Sequence, residues 1–118
     1  MQGLAANTDL SAMLGVRVVQ VGISTHQCIL WFDSGDRISI ESTCVLNGME
    51  VEPLVIESYP TAASHLATLL EQSVVAARPT ESGGVLLQFG DRRSLEIRND
   101  VREYESFQIQ LRGVVLVA

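Results

Sequence analysis

Fourteen carboxylates, two histidines and two cysteines are the side chains of this chain with chemistry to offer. A zinc ion needs three or four ligands. Here His26 stands in "STHQ", His65 lies in the helical stretch "SHLATLL", and the spacing of Cys28 and Cys44 matches no zinc pattern. No metal site is expected. A cysteine nucleophile needs a base and an electropositive setting to form its thiolate, yet Cys28 sits in the uncharged run "CILWF". Both thiols read as small buried hydrophobes. No Gly-x-Ser-x-Gly elbow or phosphate-cradling glycine loop occurs, and "ESGG" lacks the lysine and helix that would make it one. Glu50 and Glu52, two residues apart, could share a strand face and work as an acid–base pair, but so can acids on any solvated strand. The expectation is a protein with no catalytic residue, no metal and no cofactor, and so not an enzyme.

The carboxylates matter more through their distribution. Net charge is −6, which disfavours nucleic acid, because attraction to phosphates needs clustered cations. Residues 1–60 carry −5 and residues 61–118 only −1. Most of the excess is Asp33, Asp36, Glu41, Glu50, Glu52 and Glu57, opposed by Arg37 alone. Such a segment would attract a basic partner, although a solvated face accounts for it as well. Trp31, the single tryptophan, lies just before that segment, on the strand face opposite Cys28, Leu30 and Phe32. Either a helix covers it or it is left for a partner, since aromatic residues bury much area at little entropic cost. Trp31 and the six acids are the candidate partner-binding residues.

The elements that would position them follow from periodicity. "NTDLSAMLG" predicts one or two helical turns, capped by Thr8 or Asp9 and stopped at Gly15, with Leu10, Met13 and Leu14 on one face. From Val18 the period becomes two, with Val19, Val21 and Ile23 on one side. Cys28, Leu30 and Phe32 resume it, and Ile38 and Ile40 continue it after "DSGD". Residues opposite one another in an antiparallel pair share a face. A three-residue loop Asp33-Ser34-Gly35, with Gly35 at positive φ, therefore pairs Leu30 with Ile38 and Cys28 with Ile40. Asn47-Gly48 signals a further hairpin leading to a strand over 50–56. "SYPTAASHLATLLEQ" predicts a helix over 60–72 with Ala62, Leu66, Leu69 and Leu70 buried on a sheet.

The pattern then repeats. "ILWFDSGDRISI" and "LLQFGDRRSLEI" align without a gap on Phe32 and Phe89, with Arg92 where the first copy has Gly35. A last hairpin turns at Arg112-Gly113. The chain therefore reads as one α+β domain, rich in antiparallel strands, built from two related strand-hairpin units, 17–56 and 73–117, bracketing the helix. Neither unit has enough apolar face to stand alone, so they must share a core, edge to edge or face to face. No run is long and apolar enough to cross a bilayer, and "MQGLAANTDLSAML" lacks the features of a signal peptide, so the expected location is the cytoplasm.

The paired "F-x-x-G-D-R" and "F-G-D-R-R" hairpins, the following "ISIE" and "LEIR", and the late "YESFQI" resemble small stand-alone bacterial proteins of an uncharacterised domain family, over roughly residues 15 to 112. Some small acidic proteins of this look act as immunity proteins, which the resemblance extends to this chain as an expectation. The partner would be a protein, a cognate and basic toxin domain, with no nucleic acid or membrane involved. Two other readings stand beside it: an assembly module that forms a homodimer through an open strand edge or the Ile29 and Trp31 face, and a hydrolase using Glu or His.

Overall fold

The computed structural model describes residues 3–48, 51–57, 59, 61–101 and 106–118. Ten strands follow one another as β1 (Val18–Ile23), β2 (Cys28–Phe32), β3 (Arg37–Ile40), β4 (Cys44–Asn47), β5 (Leu54–Ile56), β6 (Val74–Pro79), β7 (Val85–Phe89), β8 (Ser94–Ile97), β9 (Phe107–Leu111) and β10 (Val114–Val117). A 3-10 turn, Ser11–Met13, precedes β1, and a 3-10 helix, Ala62–Leu69, precedes β6. The strands form two antiparallel five-stranded sheets, ordered β1-β2-β3-β9-β10 and β5-β4-β8-β7-β6.

That order explains the repeated sequence. Each unit runs helical turn, three-stranded meander, then a terminal hairpin, and each terminal hairpin leaves its own meander to join the other's sheet. β4 and β5 of the first unit extend β8, while β9 and β10 of the second extend β3. The backbone hydrogen bonds obey the same two-fold relation. Gly15 N–H to Val74 C=O (2.8 Å) is matched by Glu71 N–H to Val18 C=O (2.8 Å), and Glu41 N–H to Ser106 C=O (2.9 Å) by Arg98 N–H to Thr43 C=O (2.9 Å).

The inner faces of both sheets meet in one apolar cluster that includes Leu30, Phe32, Ile38, Ile109, Leu46, Leu87, Phe89 and Leu95. Phe32 and Phe89 are both buried, so the two sheets meet face to face, while the units also join edge to edge through β3–β9 and β4–β8. The expected β-rich α+β domain is what forms. Among the described residues, no helix is long and apolar enough to cross a membrane.

Both meander turns have the geometry expected of the first. Leu30 faces Ile38 and Cys28 faces Ile40, while Gly35 N–H bonds to Phe32 C=O at positive φ (88°). In the second copy Arg92 N–H bonds to Phe89 C=O at φ 75°, so the turn persists with an arginine in the left-handed region. A second such substitution sits after the helical turns, where Gly15 (φ 84°) has Glu71 (φ 74°) as its counterpart.

Four expectations are corrected. Val19 does not share a face with Val21 and Ile23: a bulge between Val18 and Gln20 shifts the phase, so Val18 is buried and Val19 exposed. The extra residue turns the strand start away from its sheet, and β6 repeats the device between Val74 and Ala76. In the 3-10 helix the buried residues are Ala63, Leu66 and Leu69, whereas Leu70 is exposed. Three residues per turn align every third side chain, which displaces the expected α-helical stripe. Leu14 is exposed for the same reason, and the N-cap position is Leu10, with no side-chain cap, while Asp9 Oδ1 accepts the Ser11 N–H (2.9 Å). Finally, Asn47-Gly48 is no two-residue turn. Asn47 stays in β4 opposite Ser94, Leu46 pairs with Leu54, and β5 is limited to Leu54–Ile56. Such a turn needs positive φ at both central residues, and only Gly48 has it.

The left-handed residues generate a prediction. A non-glycine residue there costs about 1–2 kcal/mol, while glycine loosens the unfolded chain by about 0.5–1 kcal/mol. Arg92→Gly and Glu71→Gly should each raise unfolding free energy by up to about 1 kcal/mol in urea titrations. A Cβ at Gly15 or Gly35 meets no neighbour, so Gly15→Ala and Gly35→Ala should each lower stability by about 1 kcal/mol through the backbone alone.

Candidate partner-binding face

Positions repeated between the units build the scaffold. Positions where the repeat breaks are free to carry function, and the outer faces of the two sheets diverge most. On the sheet containing β1, two rows cross the outer face: Gly22–Ile29–Ser39–Gln108 and Gln20–Trp31–Arg37–Gln110. The matching rows of the other sheet read Arg78–Leu86–Glu96–Val45 and Ala76–Gln88–Ser94–Asn47. The first face thus sets three glutamines around one indole, whereas the second has no aromatic residue and mixes Leu86, Val45 and Ala76 with polar side chains and the charges of Arg78 and Glu96.

Trp31 is set by its strand. Leu30 and Phe32 point into the core, so Trp31 must point out. Its indole lies across Gly22 on the neighbouring strand: a Cβ built there would meet Trp31 Cζ3 at 2.7 Å. The missing side chain is the seat of the ring. Among the described residues no helix covers it, since the 3-10 helix lies against β1 and buries Ala63, Leu66 and Leu69 inward. Trp31 is half-buried, held on one side and open on the other.

The five acids among the described residues are not gathered with it. Asp33 lies in the β2–β3 turn, where Oδ1 accepts the Arg17 N–H (3.0 Å) and Oδ2 stands 4.0 Å from Arg17 Nε. Asp36, in the same turn, is buried; it accepts the Arg112 N–H (2.9 Å) and the Ser34 hydroxyl (3.0 Å). It ties the turn to the β9–β10 hairpin and is no surface charge. Glu41 follows β3 and, with Gln27, Ser39, Phe107 and Gln108, lines a cavity of about 90 Å³ beside the Trp31 face. Glu52 is exposed in the β4–β5 connection and Glu57 just past β5, both on the other sheet. Glu50 lies outside the described residues. Chain proximity suggested one acidic patch, but the hairpin exchange carries β4 and β5, with Glu52 and Glu57, to the opposite sheet.

The thiols take no part in this face. Cys28 and Cys44 are buried and free. Loss of water pushes the Cys28 thiol up to about 12, aided by Cys44, and the Cys44 thiol to about 11, partly offset by its contact with the Tyr59 hydroxyl. Tyr59 Oη donates to Ser42 C=O (2.9 Å) and lies 3.9 Å from Cys44 Sγ. It pins the β3–β4 crossover, and burial raises its own pKa well above the usual tyrosine value. Nothing in the sequence pattern tied Tyr59 to Ser42, because the contact needs β4 to cross between sheets. His26 and His65 are exposed on separate elements. Among the described residues no three His, Cys, Asp or Glu side chains gather as a metal site would require.

A family model described as a family of unknown function, DUF6188, matches residues 10–118. The chain belongs to that family. The match runs from the first helical turn through β10 and so takes in both units and both exchanged hairpins. No curated protein and no solved structure gives a match to the chain.

Two measurements follow. Gly22→Val should displace the indole of the sole tryptophan, shifting its emission to longer wavelength. The raised thiol and phenol values give a pH dependence: these groups stay protonated in the folded state after the unfolded chain begins to ionise. Their stability contribution is therefore full below about pH 9 and is lost as pH rises toward the folded values of about 12 and 11. Urea midpoints should fall above about pH 9, and Cys28→Ala with Cys44→Ala should flatten that fall.

Proposed function

We propose that this protein is a non-enzymatic binding module whose partner is another protein, held on the outer face around Trp31. The observation that carries this reading is the indole resting on Gly22, open on its outer side. A tryptophan fixed before binding loses little entropy on contact, and such anchors dominate interface energies. The surrounding Gln20, Ser39, Gln108 and Gln110 offer both donors and acceptors for the rim of an interface.

The most concrete form of the reading is an immunity protein of the bacterial cytoplasm that caps a basic, nuclease-type toxin domain. Net charge of −6 supports it, because nuclease surfaces that hold phosphates are basic and an acidic protein is steered toward them. Placement of the acids on two sheets gives them the role of a general field that speeds encounter, with Trp31 supplying the anchor.

The test is binding to the toxin domain encoded beside this gene, followed by inhibition of its activity. Trp31→Ala should weaken affinity by about 2 kcal/mol or more, roughly thirty-fold, chiefly through faster dissociation. Reversal of Glu41, Glu52 and Glu57 to lysine should slow association and reduce its salt dependence. An adjacent toxin that is neither bound nor inhibited removes the immunity reading, and Trp31→Ala with unchanged affinity removes the face.

A further inference from the structure

Four strands lie at the edges of the two sheets, and three are guarded. β1 and β6 each carry a bulge, and their starts bond to each other across the two-fold relation, through Val18 N–H to Gln72 C=O and Val74 N–H to Val16 C=O. β6 also ends in Arg78-Pro79, and β5 is three residues long between Glu52-Pro53 and Glu57. Bulges, charges, proline and shortness are the usual protections of an edge. β10, "VVLV", carries no bulge, charge or proline.

We infer that β10 is a self-association edge, pairing antiparallel with β10 of a second copy to make one continuous ten-stranded sheet. The phase of its hydrogen bonds supports this. Ala118 and Phe107 exchange both backbone bonds, and bonded pairs alternate in an antiparallel ladder. Val114, Leu116 and Ala118 therefore bond inward to β9, leaving the N–H and C=O of Val115 and Val117 directed outward. Setting Val115 opposite Val117 of the second copy, with Leu116 on the two-fold axis, makes four backbone bonds and keeps every side chain on its proper face.

Chemistry along the edge is self-complementary too. β10 carries no charge, so two copies meet there without placing like charges opposite each other despite the net −6. On its inner side, Ala12, Leu111, Val114 and Leu116 line a cavity of about 320 Å³ with Asp9 and Arg112 at the rim. Leu116 of the second copy projects toward that same side, and the reciprocal insertion is what a two-fold interface requires. Val114 and Val115, exposed in the single chain, would be covered. Four-residue edges bury less than the ~1,200 Å² at the low end of specific interfaces, so the association is weak and concentration-dependent.

Sedimentation of the full chain over about two orders of magnitude in concentration should show the mass rising from 12.8 kDa toward twice that value. Val115→Pro removes an outward donor and no bond to β9, as edge strands tolerate. It should weaken association at least ~10-fold, while Val115→Thr, which keeps the donor, should associate as the parent does. Urea midpoints and Trp31 emission of both variants report that the fold is intact. A parent that stays monomeric throughout, or a folded Val115→Pro variant that pairs as well as the parent, overturns the inference. Trp31→Ala should leave association unchanged, which separates this edge from the partner-binding face.

Discussion

The structure hangs on a short antiparallel crossing where the two repeated units meet. Val16 and Val18 of one unit exchange backbone bonds with Gln72 and Val74 of the other, flanked by Gly15 to Val74 and Glu71 to Val18. These bonds form because each strand start is bent out of its own sheet by a bulge. The same distortion that spoils alternation at Val19 and Val75 is thus what sews the two sheets together. With the terminal hairpins exchanged as well, neither unit retains an apolar face it can bury alone, and the fold is all-or-none by construction.

Such an arrangement separates scaffold from function along lines visible in the sequence. Phe32 and Phe89, Leu30 and Leu87, Ile38 and Leu95 occupy equivalent core positions and are apolar in both copies. The outer faces have no such obligation. There Gly22, Trp31 and Ser39 correspond to Arg78, Gln88 and Glu96, and the pair Gly22 and Trp31 is intelligible only as a unit: the ring needs the space that the glycine leaves. A similar asymmetry marks the turns. Asp36, the counterpart of Arg93, is used to hold the Arg112 amide, while Arg93 reaches Asp91 (2.7 Å) and the Thr68 carbonyl (2.7 Å). Each keeps its turn docked with opposite charge and different partners.

Much of the local structure is legible in the sequence. The pairing of Leu30 with Ile38 and of Cys28 with Ile40 followed from side-chain parity and one glycine, and the turn at Arg112-Gly113 has positive φ at both residues, as a two-residue hairpin demands. Regular periods put Val19, Leu14 and Leu70 on buried faces, but a bulge displaces Val19 and turns of three residues displace Leu14 and Leu70. Asn47-Gly48 marks a hairpin that does form between β4 and β5, but with a longer connection than a two-residue turn.

By itself, then, the sequence determined the alternating faces and the tight turns, because these depend on residues a few positions apart, and it showed the doubled unit because the same pattern is written twice. Only the tertiary structure decided that each hairpin would complete the other unit's sheet, that Glu52 and Glu57 would leave Asp33, that Asp36 would be buried, and that Trp31 would lie on Gly22. Those outcomes depend on which strand lies beside which. Identical hydrogen-bonding edges leave that choice open until the two apolar faces, closing together, exclude the alternatives.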